Sequence, residues 1–436
     1  MVDTMIKYNL YSLGAVAVKG DEELVRRVMD AEITEEEFKA LNGYAKYIGA
    51  GDSFKDVMEA FPTENGTPPG FRYDFSVKPG GVVDVGLARD ISYDRDGRRR
   101  PTNVLFSADS ANPYEVEPIS PFISNLTCNP GIIYDLFINN PKANVGNKYK
   151  NRDEVMEEIG RILGPGCDIS VELNNPFEED FNALVEEAEK FREMFSKYRV
   201  VIKVPHTGAV TAGNVEQLLS GDKTLDKLYS DVTTSGALRG HALALKLTGL
   251  GFRINFTLMF EPYQTLFALQ ARPYFINSFI RHRLMQTSAM KSCLDSYGST
   301  GDIAYLERLR DLLVKNDYYS PSQSVTDVLT VKKYAEDIVK YRNFDNAEGG
   351  DGLDGVRHNL RALRNCNLPD TRLIICSMEG DYNYPDIDKL LASPEFRDMN
   401  GKVVITAEPN YIARFTSTNQ VTSYQRRFMN AAKGMK

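Results

Sequence analysis

The sequence predicts an α/β protein built as a (β/α)8 TIM barrel with an N-terminal, mainly helical extension, and two observations carry that reading. After about residue 100, eight short apolar runs alternate with helix-like connections. That alternation gives a parallel sheet, and eight is the number of strands that closes a barrel. Polar residues also gather toward the C-terminal ends of those runs: Asp109, Asn129, Glu172, Lys203, Thr257, Ser377 and Glu408. In a barrel those ends line one mouth, so residues far apart in sequence meet there. A doubly wound sheet also gathers strand ends, but only near a switch point.

Residues 1–100 are expected to form the extension, packed on a barrel of residues 101–436. Thr34 and Glu37 have capping-box spacing and open a helical pattern with Phe38, Leu41, Ala45 and Ile48 on one face. A second pattern carries Phe54, Val57 and Phe61. Pro68, Pro69 and Gly70 break the chain, and "GGVVDVG" reads as a short strand. The barrel strands are then expected in "NVLFSAD", "FISNLTCNP", "CDISVELN", "VVIKVPHTG", "FRINFTLMF", "PYFINSFI", "RLIICSMEG" and "KVVITAEPN". The connections from Pro205 to Asn255 and from Arg283 to Leu373 are long, and the second contains "SCLDSYGSTGDIAYLERLRDLLVKN", which looks like added helix. These segments and the first hundred residues are candidates for capping the mouth, for bringing new anion ligands or for a contact within a homo-oligomer.

Composition excludes several classes of function. The 436-residue chain is 42% hydrophobic, with a net charge of −8 and a pI near 5.3. It can bury a large core, and it lacks the clustered basic surface that nucleic acid requires. The run Arg98 to Arg100 follows Asp94 and Asp96 and reads as a solvated loop. No apolar run reaches membrane-spanning length and no cleavable leader pattern opens the chain, so a cytoplasmic protein is expected. Five scattered cysteines without a C-x-x-C pair suggest neither a disulfide framework nor a zinc ribbon. The N-x-T tripeptides at Asn125 and Asn255 fall in strand-like runs rather than the exposed loops that glycan attachment needs. No metal-ligand spacing and no P-loop occur, and "KPGGVVDVG" is too short for a dinucleotide turn, so no cofactor is expected.

Lys203 interrupts the apolar run Val200, Val201, Ile202 and Val204. A lysine that attacks a carbonyl must be neutral, and burial lowers its pKa by disfavouring the ammonium. The competing reading is a plain internal ion pair with Glu172 on the neighbouring strand. Both remain open on residue type alone.

The ordered set "SADSANP", "TCNPGIIYD", "ISVELN", "VVIKVPHTG", "INFTLMFEPYQTLFALQA" and "INSFIRHR" resembles the transaldolase family of Schiff-base-forming sugar aldolases. The likeness is specific over about residues 103 to 283 and looser to about residue 412. It implies a (β/α)8 barrel and a reaction of pentose phosphate type. By the same resemblance Lys203 is the Schiff-base amine, Asp109 the acid/base at the breaking carbon–carbon bond, and Glu172 a proton shuttle through a water held by Thr257. Asn129 and Asn255 match amides that hold the hydroxyls of the three-carbon unit, and Thr127 shares the T-x-N motif. A protonated imine is an electron sink, and two carboxylates in different surroundings can divide acid and base work.

The chain departs from the family pattern where phosphate should bind. In place of S-P-F-x-G-R it has "NSFIRHR", which puts Asn277 at the serine position and His282 at the arginine position, flanked by Arg281 and Arg283. In place of S-F-R it has Ser377, Met378 and Glu379. A carboxylate there repels phosphate at close range. His206, beside the end of the lysine strand, is a further weak candidate. Asn277, Ser377, Arg281 and Arg283 complete the candidate substrate contacts. The expected activity is transfer of a dihydroxyacetone unit from a ketose or ketose phosphate to an aldose acceptor. Transfer is preferred over simple cleavage by analogy, because Phe279 stands where simple aldolases of this kind have tyrosine. The alternatives are an aldolase for a non-phosphorylated or modified sugar, and a sugar-binding barrel without turnover.

Overall fold

A computed structural model describes residues 7–63, 66–342 and 350–434. Eight parallel strands close into a barrel, in chain order Leu105–Asp109, Asn125–Cys128, Asp168–Glu172, Arg199–Pro205, Ile254–Thr257, Phe275–Phe279, Arg372–Cys376 and Val403–Ala407. Each lies inside one of the eight apolar runs. These runs look continuously apolar because a barrel strand is buried on both faces. Ala108, Leu126, Ile169, Val171, Ile202, Val204, Ile254, Phe256, Ile276, Leu373, Ile375 and Ile405 point outward into one core shared with the surrounding helices. The alternate set points inward, where Leu105, Val201, Phe275, Ile374 and Val404 fill the interior together with Ile91. Lys203 has the parity of Val201 and therefore faces inward.

Helices Arg152–Leu163, Phe181–Met194, Arg239–Gly249, Leu353–Arg364 and Asn383–Ala392 are the longer helices of the connections. Between the sixth and seventh strands, helices Arg281–Thr300, Ala304–Lys315 and Val328–Arg342 form an added three-helix unit with its own apolar core around Met290, Leu306, Leu309, Leu313 and Val331.

The extension differs from expectation in composition and position. Helices Glu35–Leu41 and Asp52–Ala60 form, and the Thr34–Glu37 capping box is made in both directions. Most of the remaining ordered structure is strand. Val16–Ala17, Tyr47–Ala50, Val82–Arg89 and Phe71–Lys78 make a four-stranded mixed sheet, and Tyr8–Asn9 pairs with Glu32–Ile33. The extension is thus a mixed α/β layer rather than mainly helical. Ile48, placed on the first helical face by its spacing, lies instead on a strand that pairs with Val83, because pairing with the Val82–Arg89 hairpin outweighs the short helical pattern.

The layer also sits away from the mouth. Arg89 and Arg199 both bond Asp168 at the starts of the third and fourth strands, and Arg372 at the start of the seventh reaches Asp90 at 3.0 Å. These are the N-terminal ends of the strands. The described residues of the first hundred therefore form a floor under the barrel and do not narrow the mouth.

Candidate active site

The site is assembled from strand register. Lys203 lies beside Glu172 on one neighbouring strand and beside Asn255 on the other, while Asp109 lies beside Thr127. Residues opposite one another in a parallel pair share a face, so all five side chains enter the barrel near its C-terminal end. Lys203, only 5% exposed, lies 3.4 Å from Glu172 Oε2 and donates to the Cys128 carbonyl at 3.2 Å. Thr127 Oγ1 donates to Asp109 Oδ1 at 2.8 Å, which aims the carboxylate from the first strand toward the second.

Beneath this layer the interior is polar and largely satisfied. Asn125 donates to Ser107 at 2.9 Å and accepts from Ser170 at 3.1 Å. Asn277 donates to the Asn255 side-chain oxygen at 2.5 Å and to the Phe256 carbonyl at 2.9 Å. Asn255 Nδ2 and Thr257 Oγ1 are buried and, among the described residues, have no hydrogen-bond partner. Buried polar atoms are rarely left so, and these two project into the barrel beside Lys203, where a bound molecule would meet them.

The electrostatics differ from the expectation of a neutral amine. Burial is the largest influence on Lys203 and pushes its pKa down, but the charges of Glu172 and Asp109 outweigh it and hold the ammonium above its ordinary value. Burial pushes the carboxyls of Glu172 and Asp109 up, with Lys203 opposing. One cation shared by two carboxylates leaves a surplus negative charge, and the low dielectric disfavours it. Lys203 is a base-paired ammonium whose proton has an acceptor at hand.

Other expected residues divide between the mouth and elsewhere. Arg281 is at the mouth, with Nη2 3.1 Å from Glu408 and Nε 4.0 Å from Glu379. A cavity of about 430 Å³ is lined by Arg281, Met378, Glu379, Glu408, Tyr411 and Arg414. Ser377 follows the seventh strand with φ +53° and accepts from the Arg281 amide, and Leu258 follows the fifth with φ +62°. Such non-glycine left-handed turns are costly and gather at functional sites. Asn129 is partly committed, since its side-chain oxygen accepts from the Ile132 amide at the start of a π-helical turn, Ile132–Ile138.

Arg283 is not at the mouth. It is 1% exposed and bound by Glu261, Asp351 and Asp354, and Glu261 also pairs Arg342. This cluster anchors the added helices, because a guanidinium at that depth must be neutralised. His206 is also removed from the reaction centre. It packs outward against Phe256 and His241, and burial depresses its pKa to about 3. Glu408 shows in the sequence only as a polar strand-end residue without a role, and the structure places it against Arg281 at the mouth. The Cys128 carbonyl that holds Lys203 leaves no trace in side-chain patterns. Among the described residues no group of His, Cys, Asp and Glu is placed to hold a metal ion, and no helix is long and apolar enough to cross a membrane.

Comparison with known proteins agrees with the barrel. Residues 106–320 match the family described as Transaldolase/Fructose-6-phosphate aldolase. No curated protein matches the chain.

Proposed function

The chain belongs, over residues 106–320, to the transaldolase/fructose-6-phosphate aldolase family, and from that premise we propose that it is a Schiff-base transferase that moves a dihydroxyacetone unit from a ketose to an aldose acceptor. The observation that carries the reading is the buried Lys203 ammonium held 3.4 Å from Glu172, beside the unpartnered Asn255 Nδ2 and Thr257 Oγ1. An ordinary internal ion pair gives no reason for those two orphaned groups.

In this mechanism Glu172 takes the lysine proton, and the free amine attacks the ketose carbonyl carbon. The carbinolamine oxygen is protonated from Glu172, with Thr257 ordering the intervening water, and leaves as water to give an iminium. Asp109 then removes the proton of the hydroxyl on C4. The C3–C4 electron pair flows into the iminium, an aldose departs, and an enamine remains on Lys203. The enamine carbon attacks the incoming aldehyde, Asp109 returns the proton to the new hydroxyl, and water hydrolyses the imine to release product and free amine. Asn129 and Asn255 hold the hydroxyls of the three-carbon unit, Thr127 aims Asp109, and Ser377 and Asn277 shape the far wall. Phe279 packs against Phe260 at a ring separation of 5.0 Å and supplies no acid for protonating the enamine, which favours transfer over release.

The same reading treats residues 1–100 as a separately cored floor and 101–436 as the catalytic barrel, supported by the distinct apolar cluster from Leu10 to Leu87. It carries with it a cytoplasmic setting and no requirement for a cofactor. The test is to supply a ketose with and without an aldose acceptor and to assay both the product sugar and free dihydroxyacetone. Transfer predicts product sugar only with acceptor and little free dihydroxyacetone. Its accumulation without acceptor would instead make the enzyme a simple aldolase.

A further inference from the structure

The mouth gives a substrate class for this site, in an inference that rests on the Schiff-base reading above. Arg281 leaves the end of the sixth strand and projects into the cavity shared by the sixth, seventh and eighth strand ends. Its guanidinium is already divided between two carboxylates, Glu408 at 3.1 Å and Glu379 at 4.0 Å. The other arginine lining the cavity, Arg414, is paired with Asp381. Inward from these lie Asp109 and Glu172 with Lys203. Asp109 feels Glu408 as a repelling charge and Arg281 as an attracting one, so the cavity and the reaction centre are electrostatically continuous.

The balance of charge decides what can enter. Four carboxylates, Asp109, Glu172, Glu379 and Glu408, face two cations, Lys203 and Arg281, while Arg414 and Asp381 cancel. A phosphate dianion at the distal end of a substrate would compete with Glu408 for Arg281 and would lie beside Glu379 as well. At separations of a few ångström that repulsion is strong. A hydroxyl-rich chain meets no such barrier, because carboxylates accept hydrogen bonds from hydroxyls and the guanidinium donates to them.

We propose that the site is built for a sugar whose distal end is an uncharged polyol, and that Glu379 and Glu408 exclude phosphorylated sugars by occupying Arg281. The two glutamates are specificity residues; they take no part in the bond-breaking steps.

The test is the ratio of borohydride-trapped adduct formed from fructose to that formed from fructose 6-phosphate, measured by mass spectrometry at equal subsaturating concentrations. Dihydroxyacetone, which has no distal group, is trapped alongside, and native protein is compared with Glu379→Gln, Glu408→Gln and the double variant. The expected result is that native protein favours fructose and that the double variant shifts the ratio at least about tenfold toward the phosphorylated sugar. A ratio is read within each protein, so partial loss of folded material cancels, and the single variants cover failure of the double variant to fold. Preference of native protein for fructose 6-phosphate, or an unchanged ratio in the variants, overturns the inference while leaving the Schiff base intact. Failure of dihydroxyacetone to label native protein overturns the Schiff-base reading and this inference with it.

Discussion

At the scale of single residues, the functional problem is a lysine that must lose a proton inside a cluster that stabilises its charge. Glu172 solves it by adjacency, since it is close enough to take the proton and is buried enough to hold it. Glu172→Gln is therefore expected to slow imine formation by about 10²–10⁴-fold, read as the rate of dihydroxyacetone trapping. Asp109 offers a thermodynamic check. Its pKa is raised, chiefly by burial. The folded state thus binds a proton that the unfolded chain has released, and stability falls as pH rises from the ordinary carboxylate range through the raised value. Asp109→Asn should remove that penalty and raise the Tm by about 2 °C or more at pH 8, with little gain at pH 4, while abolishing carbon–carbon cleavage. An equal gain at both pH values would show that Asp109 is not held in its raised state by the fold.

At the scale of elements, backbone close approach positions the site. Helix Arg239–Gly249 begins against the end of the lysine strand, and a Cβ on Gly240 would lie 2.2 Å from the Pro205 carbonyl oxygen. Gly240→Ala must push the helix off that strand end. A loss of about 1–3 kcal/mol is expected, measured by denaturant unfolding, together with slower trapping at Lys203. The mouth was legible in the sequence because the apolar runs gather polar residues toward their C-terminal ends, although Asp168, Arg199 and Arg372 show that polar residues also mark the opposite end. Ala45 and Ile48 both lie beyond the helix, which ends at Leu41, because four helix-spaced apolar residues look the same whether the last two belong to the helix or to the turn and strand that follow it. Arg283 misled for a related reason. Sequence adjacency to Arg281 suggested a shared role, but Arg281 opens the helix at the mouth whereas Arg283, two residues on, is buried among Glu261, Asp351 and Asp354, whose positions depend on chain far away in sequence.

At the scale of the whole molecule, the chain separates chemistry from support along the barrel axis. Lys203 and its partners occupy one end, and the floor is pinned at the other by Asp168 between Arg89 and Arg199, with side chains 6% or less exposed. Removing the shared anion leaves two buried guanidinium groups facing each other. Asp168→Asn should cost about 3–5 kcal/mol in denaturant unfolding, yet below its melting temperature it should retain native trapping at Lys203. Loss of trapping in folded protein would mean that the floor and the site are coupled. The position of this floor was not readable from sequence, since a mixed sheet of short strands can pack at either end of a barrel, and only the long-range pairs of Arg89, Arg199 and Arg372 choose between them.

Everything in this mechanism depends on Lys203 acting as a nucleophile, and mass spectrometry of the protein after borohydride reduction with dihydroxyacetone reads that out. One added three-carbon unit is expected, located on Lys203 by peptide mapping and absent from Lys203→Ala. An unlabelled native protein, or an adduct that persists in Lys203→Ala, would contradict it and leave Lys203 as the internal partner of Glu172.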